Sequence, residues 1–366
     1  MKIAIISDTH LGYARFEEDS LKQAAAAFED ADKKADIIIY AGDVFDTKIP
    51  KLETIKRAVE ILKNVKKPIF AIFGNHERRS KDLTNPVQLL ASAGLLKLLH
   101  GNEEIFEKNG EKIQILGMGS IPEELAETAL KQVMGKFIPQ QNAFRILVLH
   151  QSIKELIPHA QEEISLEYLR ELPFDLVING HIHERIIKLE GKFIIPGSTV
   201  VTQLKKDETE SRAYELYNTS TKTHQTIPIP CRKFFYEEMH FDNASISDVK
   251  ASIEKKVQEL KRLDDNAIIR IKVKGSLKDG INRNDFSLPN YDDTFIDMHL
   301  DIQDLKTAIQ RMKTMNQEKA SVKEFVIKEL EEKCKGKITK FDPREVFDKL
   351  VQGVDETLEY IDSKKN

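Results

Sequence analysis

The sequence contains no tryptophan and only two cysteines, Cys231 and Cys334, among 366 residues. Two isolated thiols make neither a disulfide framework nor the paired-thiol spacing of a structural zinc site, so a reducing, cytoplasmic setting is expected. No apolar run approaches the roughly 20 residues needed to cross a bilayer, and the chain enters a strand-like segment at once rather than a signal peptide. No membrane role is expected. An excess of one charge is missing too, since 56 Lys plus Arg stand against 60 Asp plus Glu for a formal charge of -4. Any nucleic-acid binding must then come from a local patch or a bound metal. With 16 Gly, 12 Pro, 40% hydrophobic and 32% charged residues, disordered and fibrous classes are excluded. What remains is a globular chain long enough for two or three domains.

The first two-thirds alternate short apolar runs with helical patterns, the sign of an α/β sandwich around a largely buried sheet. Strands are expected at Lys2–Ile6, Ile37–Tyr40, Ile69–Phe73, Ile113–Met118, Ile146–Leu149, Leu176–Ile178 and Phe193–Ile195. Ser20–Lys34 and Leu52–Val65 carry helical spacing between them. Pro228 and Pro230 stiffen the chain and mark a boundary. From Phe234 to Ile302 the pattern reads as a small α+β domain, with a capped helix at Ser245–Leu263 and a half-buried strand at Ala267–Val273. Charged amphipathic helices are expected at 304–315, 322–333 and 342–361. The last has Asp342 as cap, Pro343 at its first position and Glu345 three residues after the cap. Its apolar stripe holds Phe347, Leu350, Val351, Val354, Leu358 and Ile361, suited either to its own core or to a partner groove.

Five short motifs follow expected strands: Asp8-Thr9-His10, Gly42-Asp43, Gly74-Asn75-His76-Glu77, His150, and Gly180-His181-Ile182-His183. An open α/β sheet collects ligands at the carboxyl ends of its strands. Neutral imidazoles, carboxylates and one amide oxygen together suit divalent manganese, iron or zinc. Asp8, His10 and His183 could hold one ion and Asn75, His150 and His181 a second, with Asp43 bridging. Alternation along an extended segment would send Asp8 and His10, and likewise His181 and His183, to one side and turn Thr9 and Ile182 away. Gly42, Gly74 and Gly180 would remove a Cβ where the chain turns beside the site. Each string is weak alone, but five of the ten histidines fall inside this ordered set. His100, His159, His224, His240 and His299 have no such company and read as ordinary histidines.

In this order the motifs resemble the calcineurin-like metallophosphoesterase superfamily over about residues 1–235. The opening Ser7-Asp8-Thr9-His10-Leu11-Gly12, the chain length and the trailing segments resemble, within it, the nuclease subunit of DNA double-strand break repair, the SbcD-type family, with an archaeal member the nearest fit. The resemblance implies a four-layer sandwich of two mixed β-sheets flanked by helices, with a small α+β cap domain and C-terminal helices. It implies a nuclease domain at 1–233, a DNA-binding cap at 234–302, and a helical linker with partner-binding helices at 303–366. It also implies two Mn2+ per subunit, exonuclease and endonuclease activity on double-strand ends and single-strand regions, a coiled-coil SMC-like ATPase partner, a homodimer, and a nucleoid setting.

By the same resemblance Asp8, His10, Asp43, Asn75, His150, His181 and His183 are the metal ligands and His76 is a catalytic non-ligand. Arg15, Arg78 and Arg79 are candidate phosphate contacts. Phe341, Val346, Phe347, Leu350, Val351 and Val354 are candidate anchors for the ATPase. The chain departs from many family members in having Asp46 where they carry His and Glu77 where they carry Asp, so the DNA-rearranging role of that His has no occupant. The Gly74–Glu77 string also resembles protein phosphatases, but Asp46-Thr47-Lys48 replaces their Asp-Arg-Gly. A DNA nuclease is therefore expected. A phosphatase or small phosphodiester hydrolase is the alternative, and a non-catalytic binding module is a third.

Overall fold

Ile, Val and Phe runs fold as strands because branched and aromatic side chains fit a pleated surface buried on both faces. The computed structural model describes residues 1–80, 82–157, 164–278, 289, 291–302, 342, 344, 345, 349 and 360. In chain order these form β1 (Lys2–Ile6), α1 (Glu17–Lys34), β2 (Ile37–Ala41), α2 (Leu52–Leu62), β3 (Ile69–Ile72), α3 (Pro86–Ser92) and β4 (Lys97–Leu98). There follow β5 (Asn102–Lys108), β6 (Glu111–Met118), α4 (Glu123–Met134), β7 (Ala143–Leu149), α5 (Leu166–Glu171), β8 (Leu176–Asn179), β9 (Ile186–Lys188) and β10 (Phe193–Ile195). The remaining elements are β11 (Ala213–Asn218), β12 (Thr223–Pro228), β13 (Phe234–Ala244), α6 (Ile246–Leu263), β14 (Ile268–Leu277) and β15 (Thr294–Ile302).

There are two large mixed sheets rather than one. The first has the order β12-β11-β1-β2-β3-β4 and the second β5-β6-β7-β8-β10-β9. Strands β1, β2, β3 and β4 run parallel, with β11 antiparallel on β1. In the second sheet β6, β7, β8 and β10 run parallel, with β5 and β9 antiparallel at the edges.

The alternation of side chains along each strand sorts the core into three layers. Ile3, Ile5, Ile37, Ile39 and Ile72 face the other sheet and meet Ile113, Ile115, Ile146, Val148 and Ile178. Ala4, Ile6, Ile38 and Tyr40 face the opposite way, onto Leu21, Ala24, Phe28 and Ala31 of α1. On the far side Leu147, Leu149, Val177 and Phe193 pack on Ala126 and Leu130 of α4 and Leu169 of α5. The result is helix, sheet, sheet, helix, each buried Ile or Phe contributing about 1.5–3 kcal/mol.

Two strands absent from the sequence reading, β5 and β11, lack an apolar run. β5 reads Asn-Glu-Glu-Ile-Phe-Glu-Lys along a largely exposed edge, and β11 carries the buried Glu215 in its middle. Glu215 is tolerated because Thr226 donates to it at 2.5 Å and His224 Nδ1 lies 3.3 Å away.

The chain divides into two compact units, one of Met1–Tyr236 with Leu260–Arg270 and one built on Glu237–Glu259 and the residues from Ile271 onward. The strands β13, β14 and β15 form a three-stranded sheet in that order. Helix α6 begins after Ser245, whose Oγ accepts from the Asp248 amide at 3.2 Å, and buries Val249, Ile253, Val257 and Leu260 at helical spacing.

The helices expected at 304–315 and 322–333 lie outside the described residues, as do His159 and the six anchors Phe341, Val346, Phe347, Leu350, Val351 and Val354. At Asp342 the expected cap geometry is present: its Oδ1 accepts from the Arg344 amide at 2.8 Å. Among the described residues no helix is long and apolar enough to cross a membrane.

Candidate metal centre

Strands β1, β2, β3, β7 and β8 each end in one of the five motifs, so the sheet carries the chemistry to one rim. The extended alternation expected of Asp8-Thr9-His10 and His181-Ile182-His183 is not how the side chains arrive. Asp8 (φ 51°), His10 (φ 43°), Asp43 (φ 46°) and His181 (φ 76°) all take left-handed backbone conformations. Such conformations cost non-glycine residues on the order of 1 kcal/mol or more and persist where surrounding bonds impose them. Here the Asp8 amide donates to Gly42 O at 3.0 Å, the His10 amide to Asp43 O at 3.1 Å, and the His181 amide to Asp8 Oδ1 at 3.1 Å. Thr9 still faces away, donating to Val44 O at 2.9 Å.

The motif glycines have two different reasons. Gly42 takes φ 93° and makes a turn that L side chains rarely adopt. Gly74 instead permits close approach, since a Cβ there would lie 1.9 Å from Asp43 Oδ1.

The seven sequence-expected ligands converge. Asp8, His10 and His183 form one group of donor atoms and Asp43, His150 and His181 another. His10 Nε2 lies 3.1 Å from His183 Nε2, and His183 Nε2 lies 3.8 Å from Asp8 Oδ1. On the other side His181 Nδ1 and His150 Nε2 lie 2.9 and 3.2 Å from Asn75 Oδ1. Asp43 Oδ2 stands between, 3.2 Å from His150 Nε2 and 3.8 Å from His10 Nε2. His150 Nδ1 is 2.8 Å from the Ala41 carbonyl, which can only accept, so the proton is on Nδ1 and Nε2 is turned toward Asp43. His10 Nδ1 is buried without a hydrogen bond, with Asp46 Oδ1 at 3.4 Å.

The electrostatics show how crowded these groups are. Burial pushes the Asp8 carboxyl up to about 6, with His150 acting against it and Asp43 with it. Burial also opposes charge on Asp43, yet His150, His10 and His76 hold its carboxyl well below the usual range. Burial disfavours the His150 imidazolium, but Asp43 and Asp8 outweigh it and raise the group to about 10. Burial opposes charge on His10 as well, and Asp46, Asp43 and Asp8 raise it. Burial and the His150 charge lower His181 to about 4, while burial and His10 drive His183 well below its ordinary value. Once their protons are displaced, these imidazoles, with the carboxylates and the amide oxygen, are a fitting donor set for divalent cations.

Residues 1–185 match the family profile described as calcineurin-like phosphoesterase. The chain belongs to the calcineurin-like phosphoesterase family. The DNA double-strand break repair protein Mre11 of Archaeoglobus fulgidus is 33% identical over 231 residues, covering 54% of this chain and 50% of its own. The protein of that description from Methanosarcina acetivorans is 27% identical over 280 residues, covering 71% of this chain and 44% of its own. The chain spans about half the length of the curated relatives it matches. Among solved structures, TT1561 of Thermus thermophilus aligns with a TM-score of 0.42 at 16% identity over 63% of this chain and 99% of that one.

In this calcineurin-like phosphoesterase the other expected site residues fall into place unevenly. His76 is partly exposed, its ring centroid 4.7 Å from that of His10 and its Nδ1 2.7 Å from the Asp46 carbonyl, so Nε2 is its free nitrogen. His10, Asp43 and His76 also form a third group of donor atoms close enough for one ion. Arg78 lines a cavity of about 430 Å³ together with Asn75, His150 and His181. Arg79 donates to Thr84 O at 2.9 Å, and Arg15 is exposed; neither lines that cavity.

Glu77, which stands where many family members carry Asp, is fully buried and accepts from the Phe45 amide at 2.6 Å and the Gly74 amide at 2.7 Å. It ties the Asp43 loop to the Asn75 loop. Burial, with the Asp43 charge, pushes its carboxyl up to about 8 against those two donors. Sequence reasoning missed Ser152 and Thr202, whose hydroxyls stand 3.2 Å from His181 Nε2 and 2.6 Å from His183 Nδ1. No motif marks either one.

A pH dependence follows from the two raised groups. At pH 7 a cation must displace the proton held on His150 Nε2, and below about pH 6 it must displace one from Asp8 as well. Divalent-ion binding should release protons at neutral pH and weaken as pH falls through about 6. Calorimetric titration in two buffers of different ionisation enthalpy checks this. Proton-neutral binding with flat affinity across that range would contradict it.

Proposed function

We propose that this phosphoesterase is a manganese-dependent DNA exonuclease and endonuclease, hydrolysing phosphodiester bonds with two metal ions in DNA double-strand break repair. The observation that carries it is the pair of donor groups meeting at Asp43, with His76 on one flank and a cavity on the other. The relatives named for DNA double-strand break repair support DNA as the substrate. Asp8, His10 and His183 would hold one ion, Asn75, His150 and His181 the other, and Asp43 both. Bound there, divalent ions supply an acidified water and neutralise the scissile phosphate.

The chain's own residues do the rest. The Asp46 carbonyl fixes His76 by its Nδ1–H; in the doubly protonated imidazolium Nε2–H faces outward, where it can donate to a phosphate oxygen or protonate the leaving oxygen. His150 is held by Ala41 O so that its ring cannot turn away from Asp43. Arg78, at the cavity, is the best placed of the three arginines to meet a phosphate; Arg15 and Arg79 would meet the strand farther out.

On this reading residues 1–233 are the nuclease domain and 234–302 a cap that binds DNA. Residues 303–366 carry the helices that dock on a coiled-coil SMC-like ATPase through Phe341, Val346, Phe347, Leu350, Val351 and Val354. The working form is a homodimer at the nucleoid in the cytoplasm.

Degradation of end-labelled duplex DNA with manganese, beside a chelator control and small phosphate mono- and diesters, tests the activity. His76→Ser should keep both ions by calorimetry and lose at least about 100-fold in cleavage. Loss of an ion in that variant would instead make His76 a ligand. Hydrolysis of the small esters with DNA untouched would favour a phosphatase or small phosphodiester hydrolase. For the partner helices, deletion of residues 335–366 should leave manganese-dependent nuclease activity intact and abolish copurification with the ATPase. Copurification that survives the deletion would refute the docking assignment.

A further inference from the structure

Each imidazole of the Gly180–His183 motif is backed by a hydroxyl, and each hydroxyl by a glutamate. Behind His181, Ser152 Oγ donates to Glu123 Oε1 at 2.8 Å and lies 3.2 Å from His181 Nε2. Behind His183, Thr202 Oγ1 donates to Glu208 Oε1 at 3.2 Å and lies 2.6 Å from His183 Nδ1. A hydroxyl has one proton. Once that proton goes to a carboxylate, which can only accept, the oxygen is left to accept from the ring nitrogen. Asn75 Oδ1, which can only accept, lies 2.9 Å from His181 Nδ1 and pulls the other way, so the first pair puts the proton of His181 on Nε2 and its lone pair on Nδ1 once a cation stands between Nδ1 and Asn75 Oδ1. The second puts the proton of His183 on Nδ1 and its lone pair on Nε2, the atom 3.1 Å from His10 Nε2.

We infer that Ser152 with Glu123, and Thr202 with Glu208, are positioning residues that lock His181 and His183 in opposite tautomers, one pair for each side of the dinuclear site. The inference rests on the metal-centre reading above and adds residues to it that no motif supplies. Partners behind metal-bound imidazoles set ring orientation and tautomer, and their loss costs on the order of 10–100-fold in metal affinity.

The two pairs are built differently. Glu208 is buried and also accepts from the Thr202 and Gln203 amides, both at 2.8 Å, while Tyr13 Oη donates to Thr202 O at 2.6 Å. Thr202 is thus clamped at both ends, and its pair is a fixed part of the fold. Glu123 is the exposed first residue of α4 and lines the cavity beside His181. Its pair is open to solvent and to whatever occupies that cavity.

Wild-type protein labelled with 15N-histidine reports the tautomers directly, through long-range proton–nitrogen correlations of the imidazoles in the metal-free and zinc-loaded forms. His183 should appear as the Nδ1–H form in both, and His181 as the Nε2–H form once zinc is loaded. The same tautomer in both zinc-loaded rings would overturn the inference without any substitution. Thr202→Val, close in shape but without the acceptor, should lower manganese affinity at one of the two sites by about 10–100-fold and alter only the His183 signals. Ser152→Ala should do the same at the other site and alter only the His181 signals. Thr202→Ser, which keeps the hydroxyl, should restore both readouts. Unchanged affinity and signals in Thr202→Val and Ser152→Ala would overturn the inference while leaving the metal reading intact. A wild type that takes up no ion yet shows His183 as the Nδ1–H form would sink the metal reading and uphold the inference about that ring.

Discussion

Too many electron-pair acceptors in too little buried space is the constraint on which the rest of this structure depends. Two carboxylates, an amide oxygen and four imidazoles aim at two points that meet at Asp43, several of them only 2.9–3.2 Å from one another. Protons relieve part of the crowding: against its burial, Asp43 and Asp8 raise His150 to about 10, and burial together with the Asp43 charge raises Asp8 to about 6. A divalent cation relieves it more fully, because it satisfies several acceptors at once. The left-handed conformations of Asp8, His10, Asp43 and His181 are the cost of aiming those side chains inward. The loop-to-loop bonds from Glu77 and between the Asp8 and Asp43 segments hold that cost in place.

The four layers exist to make such a rim rigid. Parallel strands from both sheets end together, and the Ile-rich layer between the sheets ties the positions of β1, β2 and β3 to those of β7 and β8. A strained residue on a free loop would relax. Here each sits two to four residues beyond a strand buried on both faces, and the backbone has little room to give.

Much of this was legible in the sequence. Runs such as Ile37-Ile38-Ile39-Tyr40 are strands by composition alone, and a histidine or aspartate just beyond each run is a site by position. The edge strands β5 and β12 were not legible, since an exposed edge needs no apolar run and presents none. The manner in which Asp8 and His10 reach the same point was misread. Period-two alternation explains side chains within a strand, whereas these two residues lie past its end, where hydrogen bonds to Gly42 and Asp43 set the backbone. Ser152, Thr202, Glu123 and Glu208 left no trace at all, because a single hydroxyl or carboxylate gains meaning only from what stands opposite it.

The claim on which everything turns is that Asp43 joins two cation sites. Crystals grown with manganese and measured at wavelengths either side of its absorption edge test it most directly. The account predicts two anomalous peaks per chain, one among Asp8, His10 and His183 and one among Asn75, His150 and His181, with the Asp43 carboxylate touching both. A single peak, or peaks elsewhere while these side chains keep their places, would contradict it.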